Sequence, residues 1–153
     1  MRTGGRRRAM RKAGVLRTEI EVEVPFHDVD IAGVAWHGHY AKYLENARWA
    51  LMHRIGYGLD QMVESGYGWP VIELELRYLR FSRFRDRLRV SASMVEWENR
   101  LVLHYLIVDA ANGERVARGR SVQVAVEIAS REMQFVSPRV LVERVVAALQ
   151  ATP

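Results

Sequence analysis

The stretch GHYAKYLENARWALMHRI, residues 38–55, decides the fold, because it is the one long helical pattern in a chain otherwise patterned as strands. Its apolar side chains recur at spacings of three and four, as on one face of a helix. The two glycines that follow, Gly56 and Gly58, supply the stop. We therefore predict a helix over these residues, with a broad apolar face made of Tyr40, Tyr43, Leu44, Ala47, Ala50, Leu51 and Ile55.

Strand patterns surround this helix. Residues 17–25, RTEIEVEVP, alternate between glutamates and β-branched apolar residues until Pro25 ends the pattern. Further strands are predicted over 71–81, 87–96, 101–110 and 115–128, with turns at 98–100 and at Asn112-Gly113, a pair typical of type I′ hairpins. A short helix is expected in LDQMVES (59–65), and Ser137-Pro138 predicts the N-cap and first position of an amphipathic C-terminal helix.

This order of elements predicts an α+β fold. One long helix among five strands cannot make a doubly wound sheet, but an antiparallel sheet can curl around it. We therefore predict the hotdog fold, in which a curled five-stranded antiparallel sheet wraps around one long central helix, with a short C-terminal helix.

The excess positive charge is concentrated at the N-terminus. Of 23 basic residues, six lie in residues 1–12 with no acid among them, which leaves 17 basic against 18 acidic residues elsewhere. A basic arm can bind phosphate backbones, but this one has no aromatic residue for base stacking. We expect residues 1–14 to be a disordered basic tail, residues 15–153 to form a single domain, and no nucleic acid to be bound.

The composition is that of an ordinary globular protein with one core. The absence of cysteine excludes disulfides and thiolate metal sites. No apolar run approaches the roughly 20 residues that cross a bilayer, and none follows the N-terminal arginines as a secretory signal requires. We expect a cytoplasmic protein with no membrane partner.

The segment FHDVDIAGVAWHGHY, residues 26–40, joins the first strand to the helix and collects titratable side chains. One interpretation is structural, since aspartates often turn or cap a loop. A metal site is disfavoured, because His37 and His39 do not share a helical face and the other histidines lack ligand-like spacing. A third interpretation is catalytic. A helix N-terminus offers unpaired N–H groups to an oxyanion, and an upstream carboxylate beside it suffices to hydrolyse a thioester.

The motif DVDIAGVAWHGHY (28–40) closely resembles the signature of the 4-hydroxybenzoyl-CoA thioesterase family and its acyl-CoA thioesterase relatives, D-x-D-x-x-G-x-x-x-[HY] with an aromatic residue before the last position. RYLRFSRFRD (77–86) and VEWENRL (95–101) resemble two further family segments, so the resemblance covers about residues 17–140. It implies an enzyme that hydrolyses an acyl thioester, with no cofactor beyond the coenzyme A moiety of the substrate. It also implies a homodimer or homotetramer with active sites at the dimer interface.

The resemblance assigns roles residue by residue. Asp30 matches the catalytic carboxylate, acting as general base on water or as nucleophile, and Asp28 would be structural. The backbone N–H groups of His37 and Gly38 would polarise the thioester carbonyl, with the His37 side chain assisting catalysis. The substrate-binding residues would be Gly33, Trp36, Tyr40 and Arg100.

Departures from the family pattern leave the carrier and the acyl group open. The hairpin that meets the nucleotide phosphates of coenzyme A keeps only Arg100, beside Glu98, so the carrier, coenzyme A or acyl carrier protein, stays open. Ser82 replaces a usual proline. A hydroxyacyl-thioester dehydratase would use Glu45 on the helix, but its histidine–proline signature is missing. A non-catalytic acyl-thioester binder would gain little from Asp30.

Overall fold

The computed structural model describes residues 14–152, and its main element is a five-stranded antiparallel sheet. The elements in chain order are β1 (Val15–Glu23), a 3-10 turn (Phe26–Asp28), α1 (His39–Arg54), α2 (Leu59–Ser65), β2 (Tyr67–Gly68), β3 (Val71–Tyr78), β4 (Arg87–Glu96), β5 (Leu101–Asp109), β6 (Arg115–Gln123), β7 (Val126–Glu127) and α3 (Arg139–Ala151). The large sheet has the order β1-β4-β5-β6-β3, and β2 pairs with β7. The predicted α+β class is confirmed. The predicted basic tail lies outside the described residues except for Gly14.

The core lies between α1 and one face of the large sheet. The buried side of α1 packs on apolar side chains of the large sheet, and the shared cluster includes Leu44, Leu51, Val90, Leu103 and Ile107. Gly119 on β6 lets the helix approach closely, because a Cβ there would lie 2.9 Å from Leu44 Cδ1 and 3.1 Å from the Glu75 carbonyl oxygen.

The predicted helical face is close to the observed one. The helix runs from His39 to Arg54, one residue shorter at each end than predicted. Ala50, predicted on the apolar face, is only half-buried. Met52 and the charged Arg48, which were not predicted there, are buried. A charged residue was not expected there, and its partner Glu45 lies one turn away along the same helix.

The structure corrects two predicted strands and one predicted turn type. The strand predicted over 115–128 divides, because Val126–Glu127 pairs with β2 and leaves the large sheet. The strand predicted over 71–81 ends at Tyr78, since the N–H groups of Leu79 and Arg80 both donate to the Val116 carbonyl. Of Asn112 and Gly113 only the glycine has a positive φ, so the turn is not type I′.

The start of the C-terminal helix also differs from the prediction. The helix begins at Arg139, and Pro138 rather than Ser137 holds the N-cap position. The buried Ser137 hydroxyl has no hydrogen-bond partner among residues 14–152, while its backbone N–H donates to the Glu98 carbonyl at 2.9 Å. Ser137 therefore fastens the β4–β5 turn to α3 instead of capping the helix.

Candidate active site

The segment between β1 and α1, residues 26–38, is folded into a tight turn that we call the junction loop. Its tip is closed by two hydrogen bonds of 2.9 Å each, from the Gly33 N–H to the Asp30 carbonyl and from the Asp30 N–H to the Val34 carbonyl. Gly33 has a φ of +80°, a conformation that favours glycine. The Ala35 N–H donates to the Ser82 carbonyl at 2.8 Å, which fixes the loop to the β3–β4 connection.

Asp30 lies at the exposed tip of the junction loop. Its Oδ1 accepts a hydrogen bond from the Ala32 N–H at 2.9 Å, which is the Asx turn of the structural interpretation. Within residues 14–152, its Oδ2 accepts no hydrogen bond and the carboxylate has no ion-pair partner. One oxygen of Asp30 therefore shapes the loop, and the other is available to a substrate or a water.

Asp28, two residues earlier, has the opposite environment. It is buried, and its two carboxylate oxygens accept hydrogen bonds from Lys42 Nζ at 2.7 and 2.8 Å and from the Tyr43 hydroxyl at 2.6 Å. Burial alone would raise the pKa of Asp28, but the hydrogen bonds from Lys42 and Tyr43 outweigh it and hold the pKa below its usual value. These contacts attach the junction loop to α1, and they leave no free oxygen for a substrate.

The N-terminus of α1 presents unused donors beside this loop. Gly38 is the N-cap residue, and among the described residues neither its N–H nor that of His37 donates a hydrogen bond. The helix dipole adds a partial positive charge at the same point. The arrangement has the properties of an oxyanion hole, in which backbone N–H groups are fixed before the charge develops.

Tyr78, a residue that the sequence analysis did not single out, orients this part of the backbone. Its hydroxyl donates to the His37 carbonyl at 2.7 Å from the end of β3. Because a trans peptide is planar, fixing the His37 carbonyl also fixes the direction of the Gly38 N–H. Partial burial and the neighbouring Tyr40 raise the pKa of Tyr78, so the hydroxyl keeps its proton. The only sequence signal for this role was its place in the segment 77–86.

The other predicted residues at this end of the molecule lie around the helix start. Trp36 is 47% exposed, and its ring lies 4.9 Å from that of His37. It also covers Gly38, where an added Cβ would lie 2.1 Å from the indole. Tyr40 is buried, with its ring 5.3 Å from that of Tyr78. The structure thus brings Trp36, His37, Gly38 and Tyr40 together.

Arg100 lies elsewhere in the same chain. The junction loop adjoins the start of β4, since Val34 bridges to Arg83 and the Ala35 N–H donates to the Ser82 carbonyl, a few residues before β4 begins. Arg100 adjoins the last residues of β4, where its Nε lies 3.3 Å from Glu96 Oε2. A ten-residue strand spans about 30 Å. Arg100 and Asp30 of one chain therefore lie at opposite ends of the sheet.

Further observations bear on the other interpretations of the sequence. Glu45, the acid that a dehydratase would need, accepts hydrogen bonds from Arg48 and from Trp49 Nε1. Within residues 14–152 no group of three metal-ligating side chains is placed to hold an ion. Across those same residues, no helix is both long enough and apolar enough to span a membrane.

Comparisons with known proteins agree on one family. A family model described as the thioesterase-like superfamily matches residues 24–149. A candidate esterase of Synechocystis sp. is 31% identical over 139 residues, which are 86% of this chain and 80% of that protein. The acyl-acyl carrier protein thioesterase ATL3 of Arabidopsis thaliana, a chloroplast protein, is 25% identical over 107 residues, 69% of this chain and 56% of that one.

A solved structure shares the fold. The DHNA-CoA thioesterase of Staphylococcus aureus superposes with a TM-score of 0.77 at 20% identity, over 88% of this chain and 89% of that one. The predicted hotdog fold and the predicted family resemblance are confirmed by these likenesses.

Proposed function

Because the chain belongs to the thioesterase-like superfamily, we propose that it hydrolyses acyl thioesters to a free acid and a thiol at the junction loop and the start of α1. The observation that carries the proposal is that one junction loop holds a carboxylate oxygen on Asp30 and N–H groups at His37 and Gly38 that make no hydrogen bond within residues 14–152. These are the two parts that thioester hydrolysis needs, a group that activates or replaces water and a site for the oxyanion.

The reaction proceeds through the oxyanion. The thioester carbonyl oxygen accepts hydrogen bonds from the His37 and Gly38 N–H groups, which stabilise the negative charge that develops on it. In one route Asp30 takes a proton from water as the water oxygen bonds to the carbonyl carbon. The tetrahedral oxyanion then collapses, the carbon–sulfur bond breaks, and the thiolate leaves and is protonated. In the other route the Asp30 carboxylate attacks first, releasing the thiolate and forming an anhydride that water hydrolyses.

A single-turnover reaction in oxygen-18 water tests for the nucleophilic route. Water attack on the anhydride at the aspartyl carbon places the label in Asp30, as peptide mass spectrometry would show, and only the nucleophilic route does this. Label in the product acid alone is expected of a general base and also of water attack at the acyl carbon of the anhydride. Failure to hydrolyse any member of a panel of acyl-CoA and acyl carrier protein thioesters would refute the proposed function.

We further propose that two copies pair through β3. This strand is an edge of the sheet, and three of its apolar residues stay exposed, Val71 at 42%, Ile72 at 51% and Leu74 at 47%. An exposed apolar edge strand is a template for pairing with another chain. Antiparallel pairing of β3 with its copy about a two-fold axis sets the Tyr78 end of one strand beside the Val71 end of the other.

This pairing also explains the position of Arg100. Val71 neighbours Gln123 on β6, and Gln123 neighbours Leu101 on β5, so the Val71 end of the sheet is also the Arg100 end. In the proposed dimer the junction loop of one copy, held at Tyr78, faces the Arg100 end of the other. Arg100 then serves the partner's site, and we expect Arg100→Ala to raise KM for acyl-CoA with little change in kcat.

Leu74→Lys tests the dimer, because a charge on the edge strand opposes pairing. We expect the variant to behave as a monomer of 17.6 kDa in light scattering and to lose turnover. Val146→Lys is the matched control, since Val146 is 43% exposed on α3. A wild-type monomer with full activity would refute the pairing.

For the carrier, we propose that acyl carrier protein is preferred over coenzyme A. The β3–β4 connection, to which the junction loop is fixed, and the start of β4 are rich in arginine. Arg83, Arg85 and Arg89 form no ion pair with any described residue. Such a surface suits an acidic protein. We expect a higher kcat/KM for the same acyl group on carrier protein than on coenzyme A. Arg83→Glu with Arg85→Glu should remove that preference, whereas Arg131→Glu, an exposed control, should keep it.

A further inference from the structure

The edge strand β3 has two faces with different side chains. On the face toward α1, Leu76 packs against the core and the Tyr78 hydroxyl reaches the start of the helix, so Leu74 lies on this face too. Because side chains alternate along a strand, Glu75 and Arg77 point to the other face. Both are exposed, and neither forms an ion pair within the described part of the chain. The outer face of this edge therefore offers one acid and one base to another molecule.

The backbone of this edge can pair at alternate residues. The Leu79 N–H donates to the Val116 carbonyl on β6, so every second residue before Leu79 also directs its backbone groups at β6. The residues between them, Leu74, Leu76 and Tyr78, direct their N–H and C=O groups out of the sheet. These are the groups that a second strand would bind.

Symmetry leaves few registers for antiparallel pairing of β3 with its copy. The two-fold axis between two such strands stands perpendicular to the sheet, so opposed residues point to the same face and one residue lies opposite its own copy. A register shift between Val71 and Glu73 restricts regular pairing to residues 73–78. The longest regular overlaps within that stretch are those centred on Glu75 and on Leu76.

Charge distinguishes these two registers. An axis at Glu75 sets this glutamate against its own copy, and like charges directly opposite each other on a sheet are destabilising. It also sets Arg77 against Glu73, whose carboxylate is already 3.2 Å from the Arg120 guanidinium. An axis at Leu76 instead sets Glu75 of each copy opposite Arg77 of the other. That register forms two opposite-charge pairs and no like-charge pair.

We infer that two copies pair in the register centred on Leu76, in which Leu74 of one copy packs on Tyr78 of the other and completes its oxyanion site. The inference rests on the proposed function and deepens it by naming a residue that the second copy supplies. In the single chain Tyr78 is 44% exposed, with the Tyr40 ring 5.3 Å away. In this register Leu74 lies directly opposite Tyr78, on the α1 side of the joined sheet, and covers its exposed ring.

This contact makes Leu74 a positioning residue. An aliphatic side chain that packs on an aromatic ring of the neighbouring strand restricts the ring. The Tyr78 hydroxyl donates to the His37 carbonyl at 2.7 Å, so a restricted ring holds the Gly38 N–H in one direction. A separated chain lacks this restraint, and its oxyanion site is incomplete.

Disulfide cross-linking tests the register without relying on hydrolysis. The chain has no cysteine, so a single introduced cysteine can pair only with its own copy. Leu76→Cys sets two cysteines opposite each other with Cα atoms about 5.5 Å apart, which a disulfide can bridge. In Glu75→Cys and Arg77→Cys, the matched controls, the two cysteines lie on a diagonal of about 7–8 Å, which is too far.

We expect mild oxidation of the dimer to cross-link at least about tenfold more of Leu76→Cys than of either control. Preferential cross-linking of Glu75→Cys or of Arg77→Cys would reveal another register and overturn the inference. A dimer that cross-links at none of the three positions would overturn it as well, because such a dimer does not pair through β3.

Exchange of the two charges tests the pairs that set the register. Glu75→Arg alone and Arg77→Glu alone each place two like-charge pairs across the axis, and we expect each to raise the dimer Kd about tenfold. The double variant restores opposite charges and should return Kd to near the wild-type value. With an axis at Glu75, Arg77→Glu would face Glu73 in the double variant too. A double variant as weak as Arg77→Glu would therefore overturn the inference.

Leu74→Ala tests the contact with Tyr78. We expect kcat to fall about fivefold with the dimer and KM retained, and to fall no further than in Tyr78→Phe when the two changes are combined, because both act on one hydroxyl. Ile72→Ala is the matched control, since Ile72 is 51% exposed on the same strand but lies outside the paired residues. Losses that multiply in the double variant would show that Leu74 does not act through Tyr78.

The register and the proposed function can fail separately. Cross-linking at residue 76 in a protein that hydrolyses no thioester would refute the thioesterase proposal and keep the register. Hydrolysis by a dimer that does not cross-link there would do the reverse. A wild-type monomer would refute the pairing and, with it, the register.

Discussion

Asp28 and Asp30 are the same residue type two positions apart in one loop, yet their surroundings differ in every respect that matters for chemistry. Asp28 is buried with both oxygens bonded to side chains of α1, whereas Asp30 is exposed with one oxygen unused. A buried carboxylate whose two oxygens both bind protein side chains holds structure together, and a substrate would have to displace those partners to use it. The partners of a side chain, rather than its identity, therefore separate a structural role from a catalytic one.

The largest effect that would sharpen this contrast is on turnover. Asp30→Asn keeps the shape of the side chain and its Asx turn but removes the base or nucleophile. We expect kcat to fall by about 10²–10⁴-fold, with the melting temperature unchanged. A variant that retained more than a tenth of wild-type kcat would show that Asp30 is not the catalytic group.

The complementary change at Asp28 should act on stability. Asp28→Asn replaces charged hydrogen bonds to Lys42 and Tyr43 by weaker neutral ones, and we expect the free energy of unfolding to fall by about 2 kcal/mol. Urea denaturation measures this. Asp60→Asn, on the exposed side of α2, is the matched control and should change it little. If Asp28→Asn kept the wild-type stability but lost turnover, the structural role given to Asp28 and the catalytic role given to Asp30 would have to be exchanged.

A smaller effect is expected at Tyr78, which acts on the proposed oxyanion site only through the His37–Gly38 peptide. Tyr78→Phe releases the His37 carbonyl, so the Gly38 N–H is no longer held in one direction. We expect kcat to fall about tenfold with little change in KM, since misplacing a donor affects the transition state more than substrate binding. A tenfold rise in KM with an unchanged kcat would instead indicate that Tyr78 contacts the substrate and does not act by positioning the backbone.

The smallest effect concerns acid stability. The pKa of Asp28 in the fold lies below its ordinary value of 3.8, so ionised Asp28 stabilises the folded state. That contribution is fully present above the ordinary pKa and is lost as pH falls through the lower folded one. The difference in melting temperature between wild type and Asp28→Asn should therefore shrink as pH falls below about 4. A constant difference over that range would contradict the pKa direction.

Elements governed by local patterns were predictable from the sequence. Spacings of three and four gave α1, and alternation gave β1 and β4, because burial of one face follows from the period of the backbone. The division of residues 115–128 was not predictable, since β7 leaves the large sheet for a partner, β2, that lies about 60 residues away in the chain.

For the site, the sequence located the loop but not its contacts. The Asp28 carboxylate meets Lys42 and Tyr43 only after the loop folds back on α1, and Tyr78 reaches His37 across 41 residues of chain. Contacts between distant segments decide which polar groups are satisfied, and those contacts carry most of the functional information.

The exposed β3 edge has a genetic consequence. If each active site takes its Asp30 from one copy and, from the other, the cavity of about 480 Å³ between α1, α2 and β2, two different inactive chains can restore activity by mixing. One chain would carry Asp30→Asn and the other Gly68→Trp, which obstructs the cavity from a wall position where an added Cβ meets nothing within 4 Å. Every mixed dimer then holds one site with both defects and one with neither. Random reassortment of equal amounts should return roughly a quarter of wild-type activity, whereas a site built within one chain would return none.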